Sequence, residues 1–117
     1  MYPLAEYILR ACELPKADAI EGRALLDGPR EWVLTEDDIL RGTMAFRTLT
    51  TPRYRITRNL HDPDGGELYD LADDPGELVN RWSDPACAGI RGDLLALLDQ
   101  VARPDLAREL PLVCRER

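Results

Sequence analysis

The chain has 117 residues, a length that fits one domain. Its 44% apolar content is enough for a core and argues against wholesale disorder. A formal charge of −7 repels phosphate backbones, which turns the reading away from nucleic acid.

The three cysteines, Cys12, Cys87 and Cys114, are far apart and form no C-x-x-C pair. A zinc site or disulfide framework is therefore not expected, and a reducing compartment is the simpler reading. The N-terminus, MYPLAEYILRACELP, has an apolar face but no basic n-region, and no run is long enough to span a bilayer. For a complete chain this implies a cytoplasmic protein with no membrane partner.

In chain order, Leu4 to Cys12 reads as a helix, with Leu4, Ile8 and Ala11 on one face and Tyr7 beside it. Pro3 suits its start and Pro15 lies beyond its end. A loop with Gly22, Gly28 and Pro29 follows. Trp32–Glu36, Met44–Leu49 and Arg53–Leu60 read as strands, the last with Tyr54 and Ile56 on one face and Arg53, Arg55 and Thr57 on the other. The Asp64-Gly65-Gly66 cluster signals a hairpin, and Glu67–Leu71 is the returning strand. The connections are too short for crossovers, so the pairing is antiparallel.

Asp74-Pro75-Gly76-Glu77 has the spacing of a capping box and predicts a short helix with Leu78, Val79 and Trp82 inward. Ser83-Asp84-Pro85 repeats the start signal for a longer helix. Its stripe is Ile90, Leu94, Leu95, Leu97, Leu98 and Val101, and Pro104 ends it. A last turn is expected around Leu106–Leu110. The predicted architecture is α+β: a small antiparallel sheet of about four strands, a long C-terminal helix on one face, and an N-terminal helix. Within one domain, residues 1–31 form the first helix and loop, 32–71 the strands, 72–103 the capped helices and 104–117 a tail.

Three stretches carry a family resemblance. They are CELPKADAIEGRALL (Cys12–Leu26), FRTLTTPRYRITRNL (Phe46–Leu60) and ELYDLADDPGELVNRW (Glu67–Trp82). Together they resemble the C-terminal end of the sulfatase family, within the alkaline-phosphatase superfamily, over about Pro3 to Val101. The third is the most specific. Glu13 stands where the family has a helix-ending glycine, Ala24 replaces a small hydroxyl residue, and Arg55 stands where Lys is commoner. The resemblance implies a small sheet crossed by a helix, leaning on a catalytic domain. It also implies a nucleophile that this sequence does not supply. Sulfatases convert a Cys or Ser within C/S-x-P-x-R to formylglycine and hold a divalent cation, usually calcium, from their N-terminal domain. Cys12 has its proline one place late, Cys114 has none after it, and Ser83-Asp84-Pro85-Ala86-Cys87 puts Cys87 in place of the Arg.

Other chemistry is thin. Asp62 and Asp64 fit two EF-hand positions, but Glu67 falls where that loop needs glycine, so a hairpin turn is the better reading. His61 and Ser83 are the only His and Ser, and no G-x-S-x-G accompanies them. No catalytic residue, metal site or cofactor is expected. Arg47, Arg55 and Arg58 are the candidates for binding an anion or a partner, and the inward parity of Arg58 calls for a buried counter-ion. The expected role is a non-catalytic sulfatase-like domain, partnered by a sulfatase catalytic domain or by its own copies. The alternatives are a free-standing hydrolase of small anionic esters and a stand-alone protein-interaction module.

Overall fold

The computed structural model describes residues 3–15, 28–39 and 44–102. Four strands, β1 (Val33–Ile39), β2 (Met44–Thr50), β3 (Tyr54–Asn59) and β4 (Gly66–Asp70), form one antiparallel sheet in sequential order. Helix α1 (Pro3–Ala11) precedes it; a 3₁₀ turn (Pro85–Cys87) and helix α2 (Ala88–Val101) follow. The α+β expectation holds, with strand ends moved by one to three residues. Strand β1 reaches Ile39, past the polar Thr35–Asp38 run, because its register against β2 pairs Ile39 with Met44. Lys16–Asp27, Pro104 and the expected Leu106–Leu110 turn lie outside the described residues.

Alternation decides the two faces of the sheet. Cross-strand neighbours Leu34, Leu49, Ile56 and Leu68 share one face. Leu49, Ile56, Leu68, Trp82, Leu94 and Leu98 form the buried core, with Trp32, Leu34, Tyr54, Ile90, Leu95, Leu97 and Val101 packed round it. Helix α2 lies across β2 and β3 on this face. Leu94 and Leu98, one turn apart, point straight at the sheet, as the stripe predicts. The Asp84 side chain caps the start of the 3₁₀ turn by accepting from the Ala86 amide at 2.9 Å.

Helix α1 ends in a Schellman arrangement. The Leu14 amide donates to the Leu9 carbonyl at 2.8 Å and the Glu13 amide to that of Arg10 at 3.1 Å. Glu13 adopts φ 57°, a left-handed conformation that glycine adopts without strain. Leu4 and Ile8 are exposed, so their stripe is not the core contact that its periodicity suggests.

The largest departure is at 71–84, which forms turns where the capping box predicts a helix. Asp74 still caps, but its Oδ2 accepts from the Val79 amide at 2.9 Å across a loop. Glu77 takes φ 53°, so the chain turns away from a helical path. Trp82 is buried as expected, whereas Leu78 is 86% exposed and Val79 50% exposed. Tertiary anchoring on β4 decides the path of this segment.

Candidate functional site

ELYDLADDPGELVNRW is where the sheet is finished and the chain is sent back to α2. Strand β4 is an edge strand, and unpaired edge groups invite unwanted pairing. Asn80 closes that edge by standing in for a strand. Its Oδ1 accepts from the Leu68 amide at 3.1 Å, and its Nδ2 donates to the Gly66 carbonyl at 3.0 Å. The same Oδ1 accepts from the Trp82 amide at 2.9 Å, and the Arg81 amide donates to the Leu68 carbonyl at 2.7 Å. These bonds bring Trp82 down onto Gly66. A Cβ at Gly66 would lie 2.5 Å from the indole ring, so the glycine makes room for the tryptophan. The indole Nε1 donates to the Asp64 carbonyl at 2.8 Å, tying the β3–β4 hairpin to the loop. From α2, the Arg91 guanidinium lies 5.5 Å from the Trp82 ring and donates to the Trp82 carbonyl.

The hairpin that carries the two aspartates of the calcium reading is built from local bonds. The Asp64 amide donates to Asp62 Oδ1 at 3.2 Å, the Gly65 amide to the Asp62 carbonyl at 3.1 Å, and the His61 amide to Asn59 Oδ1 at 2.9 Å. Among the described residues no group of His, Cys, Asp and Glu is placed to hold a metal ion. His61 and Ser83 are both exposed, in the hairpin and in the turn before the 3₁₀ segment.

The three candidate arginines do not form one patch. Arg47 and Arg58 are cross-strand neighbours on the helix-covered face. Arg47 Nε donates to Glu36 Oε1 at 2.7 Å, and Arg58 Nη2 donates to Asp99 Oδ1 on α2. The inward parity of Arg58 thus finds a counter-ion on the helix, but Asp99 is exposed and is not the buried partner that the parity calls for. The Arg58 hydrogen bond, with Arg47 nearby, holds the Asp99 carboxyl below its ordinary value, against some desolvation. This alternating cluster fastens α2 to β1, β2 and β3.

Arg55 is on the opposite face, where Nη1 donates to Glu77 Oε2 at 2.7 Å. Its cross-strand neighbour is Tyr69, whose hydroxyl is pushed up by burial and then by Glu67 and Glu77. At the edge of the sheet Arg53 makes a forked contact to Asp70, with Nη2 to Oδ2 at 2.9 Å, and lies 5.0 Å from the Tyr54 ring. The Arg53 hydrogen bond holds the Asp70 carboxyl low. Backbone amides of Val79 and Leu78 do the same for Asp74.

The face opposite α2 holds a shallow concavity of about 420 Å³. Its floor includes Phe46, Thr48 and Thr57, and its rim Asp37 and Glu67. Thr48 and Thr57 are cross-strand partners whose hydroxyls hydrogen-bond each other at 2.9 Å. Sequence reasoning missed Asn80, Gly66 and this face. The letters were present, but Asn80 acts through a strand twelve residues away and the concavity needs the register of all four strands.

No protein-family model matches the chain. Over 69 residues it is 39% identical to the Delta 4,5-hexuronate-2-O-sulfatase of Bacteroides thetaiotaomicron, a match covering 59% of this chain and 12% of that protein. Among solved structures it is similar to a sulfatase-like protein of Bacteroides thetaiotaomicron, with a TM-score of 0.70 and 27% identity over 83% of this chain and 23% of the other. A 2-O GAG sulfatase gives a TM-score of 0.69 at 27% identity, over the same shares of the two chains. A protein solved with its substrate D-glucosamine-2-N,6-O-disulfate gives 0.69 at 18% identity, a likeness of fold, over 84% of this chain and 22% of the other. The chain spans 12% of the length of the curated relative that it matches.

Proposed function

We propose that this chain, sulfatase-like in sequence and fold, serves sulfate-ester hydrolysis as a supporting lobe and not as the reaction centre. One observation carries the reading: the match takes up 59% of this chain but only 12% of a hexuronate 2-O-sulfatase. The sequence adds to it, since no C/S-x-P-x-R motif is present to yield the formylglycine nucleophile that the resemblance implies. The partner is a sulfatase catalytic domain, and the lobe contributes a rigid sheet-and-helix unit against which that domain packs.

Rigidity is what the architecture is suited to. The signature stretch is held by side chains that bridge elements: Asn80 to β4, Trp82 to the hairpin, and Glu77 to Arg55 on β3. Arg47, Arg55 and Arg58 are each matched by a carboxylate. An incoming anion at any of them would have to displace that partner, so their role in this reading is to lock elements together.

The test is turnover. The purified chain is assayed with an aryl sulfate and an aryl phosphate, with and without calcium. The expected rate is that of buffer in every arm. Metal-dependent hydrolysis of either ester, abolished by Arg55→Ala, would replace this reading with that of a free-standing hydrolase.

A further inference from the structure

We infer, resting on the supporting-lobe reading, that the face of the sheet opposite α2 is the seat for the catalytic domain, and that the surface it receives is apolar with a basic rim. Helix α2 is the one described element packed across the sheet, and it takes the other face. On the face opposite α2, Val33, Ile39 and Met44 are 39%, 46% and 41% exposed, and Ile39 and Met44 are direct cross-strand neighbours. Phe46 follows on the same side, half-buried at the concavity.

Two polar contacts in the middle of this face are made within the chain. The Thr48 and Thr57 hydroxyls bond each other, and the Arg55 guanidinium is held by Glu77. Covering a hydroxyl or a guanidinium is costly when its hydrogen bond is lost to no replacement. Here those bonds are internal to the chain and survive a covering layer. An apolar partner can therefore cover this face without breaking those two contacts, provided that it leaves the outer edge of the Arg55 guanidinium to water or to an acceptor of its own.

The rim selects the occupant. Asp37 and Glu67 are exposed carboxylates at the concavity, on a chain of net charge −7. A second copy would bring acid against acid, which costs free energy across an interface. A surface carrying Arg or Lys opposite Asp37 and Glu67 is complementary. The solved relatives have that additional surface to offer, because the matched portion is 23% of the chain in each of two of them.

The test places the whole chain in the Bacteroides thetaiotaomicron hexuronate 2-O-sulfatase, in place of the 69-residue stretch that it matches. Thermal unfolding of this hybrid is read for cooperativity. The wild-type hybrid should melt in a single transition. Thr48→Arg on the floor and Glu67→Lys on the rim should each split it into two, because the lobes part. Gln100→Arg, exposed on α2, should leave the transition single. Each variant is also melted in the free chain, where Thr48→Arg and Glu67→Lys should unfold at the wild-type temperature; a variant that unfolds early there is set aside and the other carries the test. Hybrids of Thr48→Arg and Glu67→Lys that melt like wild type would overturn the assignment of the face while leaving the lobe reading intact. A wild-type hybrid that never melts as one unit would overturn the lobe reading itself. A free-chain dimer in sedimentation equilibrium, dissociated by Thr48→Arg, would give the face to a second copy instead.

Discussion

Gly66→Ala inverts an ordinary rule. In a strand, replacing glycine by alanine normally stabilises by about 0.5–1 kcal/mol, because glycine gives up more backbone freedom on folding. Gly66 does not have the left-handed backbone that would penalise a side chain. The obstacle is Trp82, whose ring atoms lie 2.5 and 2.6 Å from where the new Cβ would be. The ring has to leave. It is 8% exposed where it sits, and it gives up its 2.8 Å bond to the Asp64 carbonyl. Deleting a buried tryptophan side chain costs about 3–5 kcal/mol, and a hydrogen bond contributes about 1 kcal/mol of net stability. A displaced ring keeps part of its contact, so the expected loss is about 2–4 kcal/mol, with the melting temperature falling by about 4–8 °C for each kcal/mol. Urea unfolding followed by circular dichroism measures it. A double-mutant cycle isolates the cause, because in a Trp82→Ala background Gly66→Ala should cost nothing or gain slightly. Equal or higher stability for Gly66→Ala alone, or additivity in the cycle, would refute the account of this junction.

Asn80→Ala should cost about 1–3 kcal/mol in the same urea assay, because it strips the bond from the buried Leu68 amide; an unchanged midpoint would mean that water replaces the side chain. Leu98→Ala, at a fully buried site facing the sheet, should cost about 2–5 kcal/mol, and a smaller loss would place α2 off the sheet. Glu13→Gly relieves a left-handed residue and should strengthen the end of α1 by about 1 kcal/mol, seen as slower amide exchange at Cys12–Leu14. Acid should destabilise the fold in a defined window. Asp70, Asp74 and Asp99 all titrate below their ordinary 3.8 in the folded state, so the stability they supply is complete above that value and is lost as pH falls from there through their lower folded-state values. Urea midpoints should be level from about pH 7 to 5 and fall below about pH 4, and Asp74→Asn should flatten part of that fall.

Much of the fold was legible because strand alternation and the α2 stripe are periodic signals written in single residues. Ile56 and Leu98 are both core, as their positions in those patterns require. Parity in β3 also separated Arg58 from Arg55 before any register was known. What parity could not do was join Arg47 to Arg58, because that depends on how β2 and β3 are aligned. The capping box misled for a related reason. Asp74, Pro75 and Glu77 have the chemistry of a helix start, yet Asn80 and Trp82 are bound to β4 and the hairpin, and those long-range bonds outweigh a local preference. Leu78 and Val79 stay exposed as a consequence. Candidate site residues were the least legible, since charge alone does not say which arginine already has a carboxylate.

The proposed supporting role requires that this chain restore a reaction when joined to a catalytic domain and give none alone. The decisive measurement is desulfation of an unsaturated hexuronate 2-O-sulfate by three proteins in parallel: the free chain, the Bacteroides thetaiotaomicron sulfatase without its matching stretch, and that sulfatase carrying this chain there. Only the third should turn over the ester. Activity in the free chain, or a folded third protein as inactive as the second, would contradict it.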